Sequence, residues 1–190
     1  MGPDPDTEAV REQMGQDRAT FRRLLDSATD ADLRRPSNGT KWTNQQLLFH
    51  MLFGYLIVRT LLLLTKLFGR LPDRFSRAFA RLLDAMRRPF HVINYLGSRV
   101  GGRVFGPARM GRTLDRVIAN LQGHLTRESP TALRRAMHYP TSWDPFFKDY
   151  MTLADLYCYP TQHFDHHRRQ LSLDDPRATA PTSRRRAKLS

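Results

Sequence analysis

The chain has almost no cysteine and no leader-like segment. Cys158 is the single cysteine among 190 residues, which excludes an intramolecular disulfide framework and a cysteine-rich zinc site. We interpret Cys158 as a small buried residue and not as a metal ligand. The N-terminal stretch MGPDPDTEAV is polar and acidic, with no apolar run like that of a signal peptide. We therefore expect a cytoplasmic location.

The sequence also lacks a strand pattern and a full-length transmembrane run. No useful stretch alternates apolar and polar residues, which favours an all-α fold. The most apolar stretch, MLFGYLIVRTLLLL at residues 51–64, carries Arg59 in its middle. An arginine there costs roughly 2.5–3.5 kcal/mol on insertion scales, and the run is shorter than the ~20 residues that span a bilayer. We therefore predict a buried helix of a soluble bundle.

Acidic residues are few beside basic ones: 18 Asp and Glu against 31 Lys and Arg give a net charge of +13. Residues 177–190 contain basic residues and no acid, and we predict that they form a disordered basic tail. The sequence has no recognised nucleic-acid-reading motif and no interleaving of basic and aromatic residues. We therefore predict no specific nucleic-acid partner.

Apolar residues recur at helical spacing in four segments, which are residues 8–28, 47–68, about 108–127, and 152 onward. Thr43 with Gln46, and Thr152 with Asp155, have the spacing of capping boxes at two helix starts. Pro160 interrupts the last segment and should kink or restart it. The stretch TDADLRRPSNGTKW, between the first two helices, has the composition of a loop. Four amphipathic helices with one long crossover predict a helical bundle.

Three of the seven histidines lie within HFDHH, residues 163–167. His163 and His167 are four residues apart and point the same way on a helix, so both imidazoles can bind one divalent metal. His166 is a competitor for His167. The best third ligand is His50, on the apolar second helix, and three histidines would leave one coordination position open. The other histidines are expected to be ordinary surface or loop residues: His91, His124 and His138.

Together, LLDSATDADLRRPSNGTKWTNQQLLFHM and the later HFDHH resemble the DinB/YfiT-like superfamily. The matching features are Trp42-Thr43, His50 on the following helix, and His163 with His167 on the last helix. The resemblance covers residues 8–68 and 107–172. It implies a four-helix bundle, often homodimeric, with a divalent metal, zinc or nickel, held by the three histidines.

Members of this superfamily include bacterial thiol S-transferases, so the resemblance implies a small-thiol S-transferase. Its partners would be a low-molecular-weight thiol and an electrophile. A non-catalytic metal- or small-molecule-binding bundle and a metal-dependent hydrolase remain as alternatives. Asp155 and Asp165 are candidates for a general base or for supporting the metal ligands.

Residues 69–106 depart from the family pattern, because family members usually connect these two helices more briefly. We predict one domain over residues 1–176, with a helical insertion at 69–106. Residues 73–88 are amphipathic, and we expect Phe75, Phe79 and Leu82 to pack against protein. Peripheral membrane contact is the less favoured alternative. The stretch SRVGGRVFG lacks the spacing of a phosphate-binding loop.

Overall fold

A computed structural model describes residues 7–173, and the predicted tail at 177–190 lies outside this range. The described elements are α1 (Thr7–Ser27), α2 (Asp30–Arg34), α3 (Asn44–Phe68), α4 (Asp73–Ala85), α5 (Arg87–Val104), α6 (Pro107–Leu125), α7 (Pro130–Leu133), β1 (Ala136–His138), β2 (Tyr150–Thr152) and α8 (Leu153–Arg168). The four predicted bundle helices correspond to α1, α3, α6 and α8. The all-α, four-helix-bundle prediction is confirmed.

Helix α3 is the central element, packed against α8, α5 and α6, while α1 closes the bundle against α6 and α8. Its length and composition would suffice to cross a membrane, but 56% of its most apolar window is buried inside the protein. Tyr55 and Leu48 of α3, Phe21 of α1 and Phe164 of α8 are almost completely buried. Burying one such side chain stabilises the fold by about 1.5–3 kcal/mol. This burial favours a core helix of a soluble protein.

Both predicted capping boxes are present. The Thr43 side chain accepts from Gln46 N while the Gln46 side chain accepts from the Thr43 backbone, and Thr152 and Asp155 do the same at α8. Each box satisfies two backbone donors that the helix leaves free. These caps fix where α3 and α8, the two histidine-bearing helices, begin.

The expected restart at Pro160 does not occur. Helix α8 runs without a break from Leu153 to Arg168, with Pro160 inside it. A proline removes one helical hydrogen bond, but the neighbouring Tyr159 and Phe164 are buried in the core. Their packing holds the helix together on both sides of the proline.

Local order missed by the sequence patterns occurs in two places. The expected loop contains α2, which begins with a capping box between Thr29 and Asp32. In addition, β1 and β2 pair antiparallel, with His138 opposite Tyr150. Each strand has three residues, and all three in β1 are buried, so no alternation marks it. His138 is therefore buried, not at the surface as expected, and its Nδ1 lies 3.1 Å from Asp149 Oδ1.

The 69–106 segment is helical as predicted, but the buried face of α4 is not the predicted one. Phe79 stacks on Phe68 with ring centroids 5.0 Å apart. Phe75 and Leu82, by contrast, are 46% and 60% exposed, so the prediction was wrong for both. The small residues Ser76 and Ala80 are buried instead, because they let α4 approach β1 closely.

The glycine-rich stretch forms the end of α5 and allows this helix to lie close to α3. A Cβ on Gly101 would lie 2.6 Å from Cδ1 of Phe49, and one on Gly102 would lie 2.9 Å from Cα of Gln46. Only glycine permits these approaches. The close packing sets the position of Ser98, one turn earlier in α5, beside His50.

Candidate metal centre

The structure brings His50 of α3 together with His163 and His167 of α8. One ligand atom from each lies within 4.8 Å of the other two. The Nε2 atoms of His50 and His163 are 3.3 Å apart, and the three ring centroids are separated by 4.5–4.9 Å. His166 is exposed and lies outside this group. Of the two competitors in HFDHH, His167 is the one that converges with His50.

Gly54 makes room for this cluster. It lies one turn after His50, and a Cβ there would lie 2.8 Å from Cε1 of His163. Any other residue would displace the His163 ring, since this distance is far below van der Waals contact. The missing side chain on α3 is therefore a geometric condition for the cluster.

The rings of His50 and His167 are held from outside the cluster. Nδ1 of His50 lies 3.3 Å from Ser98 Oγ, and Nδ1 of His167 lies 2.7 Å from Gln170 Oε1. Trp42 packs on His50 with centroids 4.5 Å apart. A hydrogen bond at Nδ1 leaves the Nε2 lone pair free as a ligand, the usual arrangement of metal-binding histidine.

Burial keeps all three imidazoles neutral. Loss of solvent, then the neighbouring His167, lowers the pKa of His50 to about 3. Burial likewise lowers the pKa of His167 to about 4, against the opposing effect of the hydrogen bond that His167 donates to Gln170. The pKa of His163 is shifted well below its usual value by burial and by the other histidines. The neutral ring is the form that binds a metal ion.

These residues fit a divalent cation. Nε2 of His50 and Nε2 of His163 face each other at 3.3 Å, while Nδ1 of His163, which has no hydrogen-bond partner among the described residues, faces Gly54 and lies away from them. Facing lone pairs on His50 and His163 repel one another unless a proton or a cation lies between them. Three imidazole nitrogens suit zinc or nickel. The cluster therefore can hold a metal ion, as the histidine spacing suggested.

Asp144 is a site residue that the sequence patterns did not reveal. Its Oδ2 lies 3.9 Å from Nε2 of His163 and accepts a hydrogen bond from the Tyr159 hydroxyl at 3.0 Å. Burial raises the pKa of this carboxyl. Asp144 lies in the connection between β1 and β2, where no periodicity relates it to the histidines. Such a carboxyl is suited to accept a proton near neutral pH.

The acids named from sequence lie elsewhere. Asp155 caps α8 and pairs with Lys148, and Asp165 pairs with Arg168 and Arg169 at the surface. Cys158 is half-buried and outside the histidine group. Burial raises the pKa of its thiol, so it stays protonated and is a poor nucleophile.

A cavity of about 400 Å³ opens beside the cluster. The three histidines, Asp144 and Tyr159 contribute to its lining, together with side chains of α3, α4 and α5. Its volume is in the range of small-molecule sites. His50 and His163 are therefore buried and His167 is half-buried, and the cluster adjoins a space that a small molecule can enter.

We expect the stability of the metal-free protein to depend on His167 between about pH 4 and 6.5. The folded-state pKa of His167 is about 4 against a usual value of 6.5. At His167 the unfolded chain therefore binds more protons in this window, so the contribution of this histidine to the free energy of unfolding rises with pH. His167→Gln should remove its share of this rise and leave those of His50 and His163 in place, measured by urea unfolding across the window with His166→Gln, at a neighbouring exposed position, as the control. An equal slope in the His167→Gln protein would contradict the burial of a neutral ring.

The comparisons with known proteins agree with this geometry. The sequence matches the DinB superfamily over residues 13–171, which is well over half of the chain. No curated protein matches it significantly, and no solved structure does. The match includes all three clustered histidines, and this chain belongs to the DinB superfamily.

Proposed function

We propose that this protein is a divalent-metal-dependent S-transferase that joins a small thiol to an electrophile. The observation that carries the proposal is the cluster of His50, His163 and His167 at the end of a cavity of about 400 Å³. Three neutral ligands leave the ion its full charge, and one coordination position stays open for an anion. A zinc or nickel ion held there would favour the thiolate form of a bound thiol, which is the reactive form.

Asp144 would take the proton that the thiol loses. Its Oδ2 lies 3.9 Å from His163 Nε2, close to the centre of the cluster. The raised pKa of this carboxyl makes it a stronger base than a solvated aspartate. Tyr159 donates to the same oxygen and so fixes its position.

The transfer step then needs no nucleophile from the protein. The thiolate sulfur forms a bond to an electrophilic carbon of the second substrate, and the leaving group departs with the electron pair of the bond that breaks. The proton held on Asp144 is then available to the leaving group. The half-buried, protonated Cys158 takes no part.

Homodimerisation and a cytoplasmic location stay predictions. Neither is required for the chemistry above, because every residue it uses belongs to one chain. The experiments below distinguish the transferase from the alternative, a bundle that binds a metal or small molecule without turnover.

We expect His50→Ala and His167→Ala to lose metal binding and thiol-dependent turnover together. Each change removes one of three nitrogen ligands, while the apolar core that carries the fold is untouched. Metal binding is measured as metal content and as the change in the spectrum of the cobalt-substituted protein on addition of thiol. Turnover is measured with a panel of thiols and electrophiles. His166→Ala is the matched control, because His166 is a neighbouring but exposed histidine.

Two results together would overturn the transferase proposal. The metal-loaded protein would turn over no electrophile in the panel, and no thiol would change the spectrum of the cobalt-substituted protein. A binding bundle would then be the better description. Retention of metal by His50→Ala would instead contradict the ligand set.

Asp144→Asn should keep the metal and lower kcat by roughly 10²–10⁴-fold, which is the rate enhancement that a positioned general base usually contributes. In the parent protein, at pH values where the metal stays bound, kcat should fall as the carboxyl of Asp144 becomes protonated, because it must be ionised to accept a proton. This acidic limb should be missing in Asp144→Asn. A variant that loses metal, or one that keeps the acidic limb, would show that Asp144 is not the base.

A further inference from the structure

The cavity beside the histidines has one polar end and one apolar end. His50, His163, His167, Asp144 and Tyr159 contact one another at the polar end. The remaining lining comes mainly from apolar side chains, with Ile57, Leu61 and Leu64 on α3 opposite Phe79, Leu83 and Phe90 of the 69–106 segment. The part of a ligand that extends from the histidines into this space would pass from water into an apolar environment.

The charge of the lining contrasts with that of the protein. The whole chain carries 31 lysines and arginines, yet among the described residues none of them lines this cavity. A carboxylate or phosphate placed at the apolar end would lose its hydration without gaining a partner, which is strongly unfavourable. The distal part of a ligand must therefore be uncharged.

The 69–106 segment supplies one wall of this space. Phe79 is held by stacking on Phe68, and Phe90 stacks on Trp143 with centroids 3.7 Å apart. These contacts fix the inner faces of α4 and α5 over the exposed flank of α3. Without the segment, Ile57 and Leu64 would face solvent and the site would be an open surface.

We propose that this cavity binds an uncharged alkyl or aryl group of the electrophile, and that the inner face of the 69–106 segment limits its size. The assignment to the electrophile rests on the proposed function. The inference that an apolar group binds does not rest on the proposed function, because it follows from the apolar side chains that line the cavity.

Binding of a series of neutral n-alkanols to the metal-free protein, followed by calorimetry, tests the cavity without any turnover. Affinity should rise about fourfold with each added methylene until the cavity is full, and then stop rising. Alkyl carboxylates of equal length should bind much more weakly. Affinity independent of chain length, or equal for carboxylates, would overturn the proposal.

Two adjacent leucines of α4 provide matched variants. Leu83 lines the cavity, whereas Leu82 is exposed on the other side of the helix. Leu83→Trp should shorten the chain length at which affinity levels off, and Leu82→Trp should not. If both variants behave alike, the segment does not limit the ligand. Chain-length-dependent binding without any thiol-dependent turnover would keep this inference and reject the transferase.

A separate observation concerns the outer face of the same segment. On α5, side chains at four-residue spacing are exposed and apolar, namely Val92, Leu96, Val100 and Val104, with Ile93 beside them at 70% exposure. Phe75, Leu82 and Met86 are exposed on and beside α4. An apolar stripe of this kind on a soluble protein marks an interaction surface.

Charge decides which partner fits this surface. Residues 69–106 contain eight arginines and two acidic residues, and seven of these arginines, all except Arg99, are exposed. Two copies meeting face to face would bring like charges together, whereas an anionic lipid surface would attract the arginines and accept the apolar side chains. We infer that this face docks on an anionic phospholipid bilayer.

Ile93 links this face to the interior. It lines a groove of about 190 Å³ that shares Phe53, Phe90 and Asn94 with the larger cavity. An apolar substrate dissolved in the bilayer would thus have a route of apolar side chains towards the histidines.

Vesicle flotation tests the docking, with phosphatidylglycerol mixed into phosphatidylcholine against phosphatidylcholine alone. We expect binding to the anionic vesicles, weakened by salt, and about tenfold weaker for Leu96→Asp or Val100→Asp. Ala119→Asp places the same charge on an exposed position of α6 and should bind as the parent does. The inference would be overturned by equal binding to both kinds of vesicle or by no binding to either. It would also be overturned if the parent protein bound no vesicles and instead formed a dimer that the Val100→Asp substitution dissociated.

Discussion

The contact between α3 and α8 at Gly54 is the interaction on which the site depends. His163 occupies the space that a side chain at Gly54 would fill, and this brings α8 close enough for His163 and His167 to meet His50. The approach has a cost, since a glycine within a helix is about 0.8–1.0 kcal/mol less favourable than alanine. The helix tolerates it because Tyr55 and Met51 beside it are fully buried.

Three neutral imidazoles in a protein interior are an unfavourable arrangement unless something binds them. Burial lowers the pKa of His50 to about 3 and of His167 to about 4, so protonation cannot relieve the crowding near neutral pH. The surrounding structure stabilises the cluster from outside, through Ser98 and Gln170 at the Nδ1 atoms. The result is a preorganised set of lone pairs whose natural complement is a cation.

The 69–106 segment serves two sides of the molecule at once. Its inner face supplies Ser98 to the cluster and Phe79 and Phe90 to the cavity wall, while its outer face is apolar and basic. One pair of helices thereby connects the surroundings of the histidine cluster to an exposed apolar and basic face. The proposed apolar electrophile would bind against the inner face, and the proposed docking on a bilayer would use the outer face.

What the sequence determined by itself is local. The capping boxes at Thr43 and Thr152, the helices that follow them, and the shared direction of His163 and His167 all follow from spacings within one helix. The choice of His50 followed from a polar ring in an apolar helix. These features depend on residues within a few positions of one another, and such spacings can be read directly from the sequence.

Only the tertiary structure decided the rest. Asp144 reaches His163 from a connection between two strands, β1 shows no alternation because it is buried throughout, and α4 turns its small residues inward because β1 lies close. Each outcome depends on how far two distant segments approach each other. That distance is set by packing of the whole core, and no spacing along the chain encodes it.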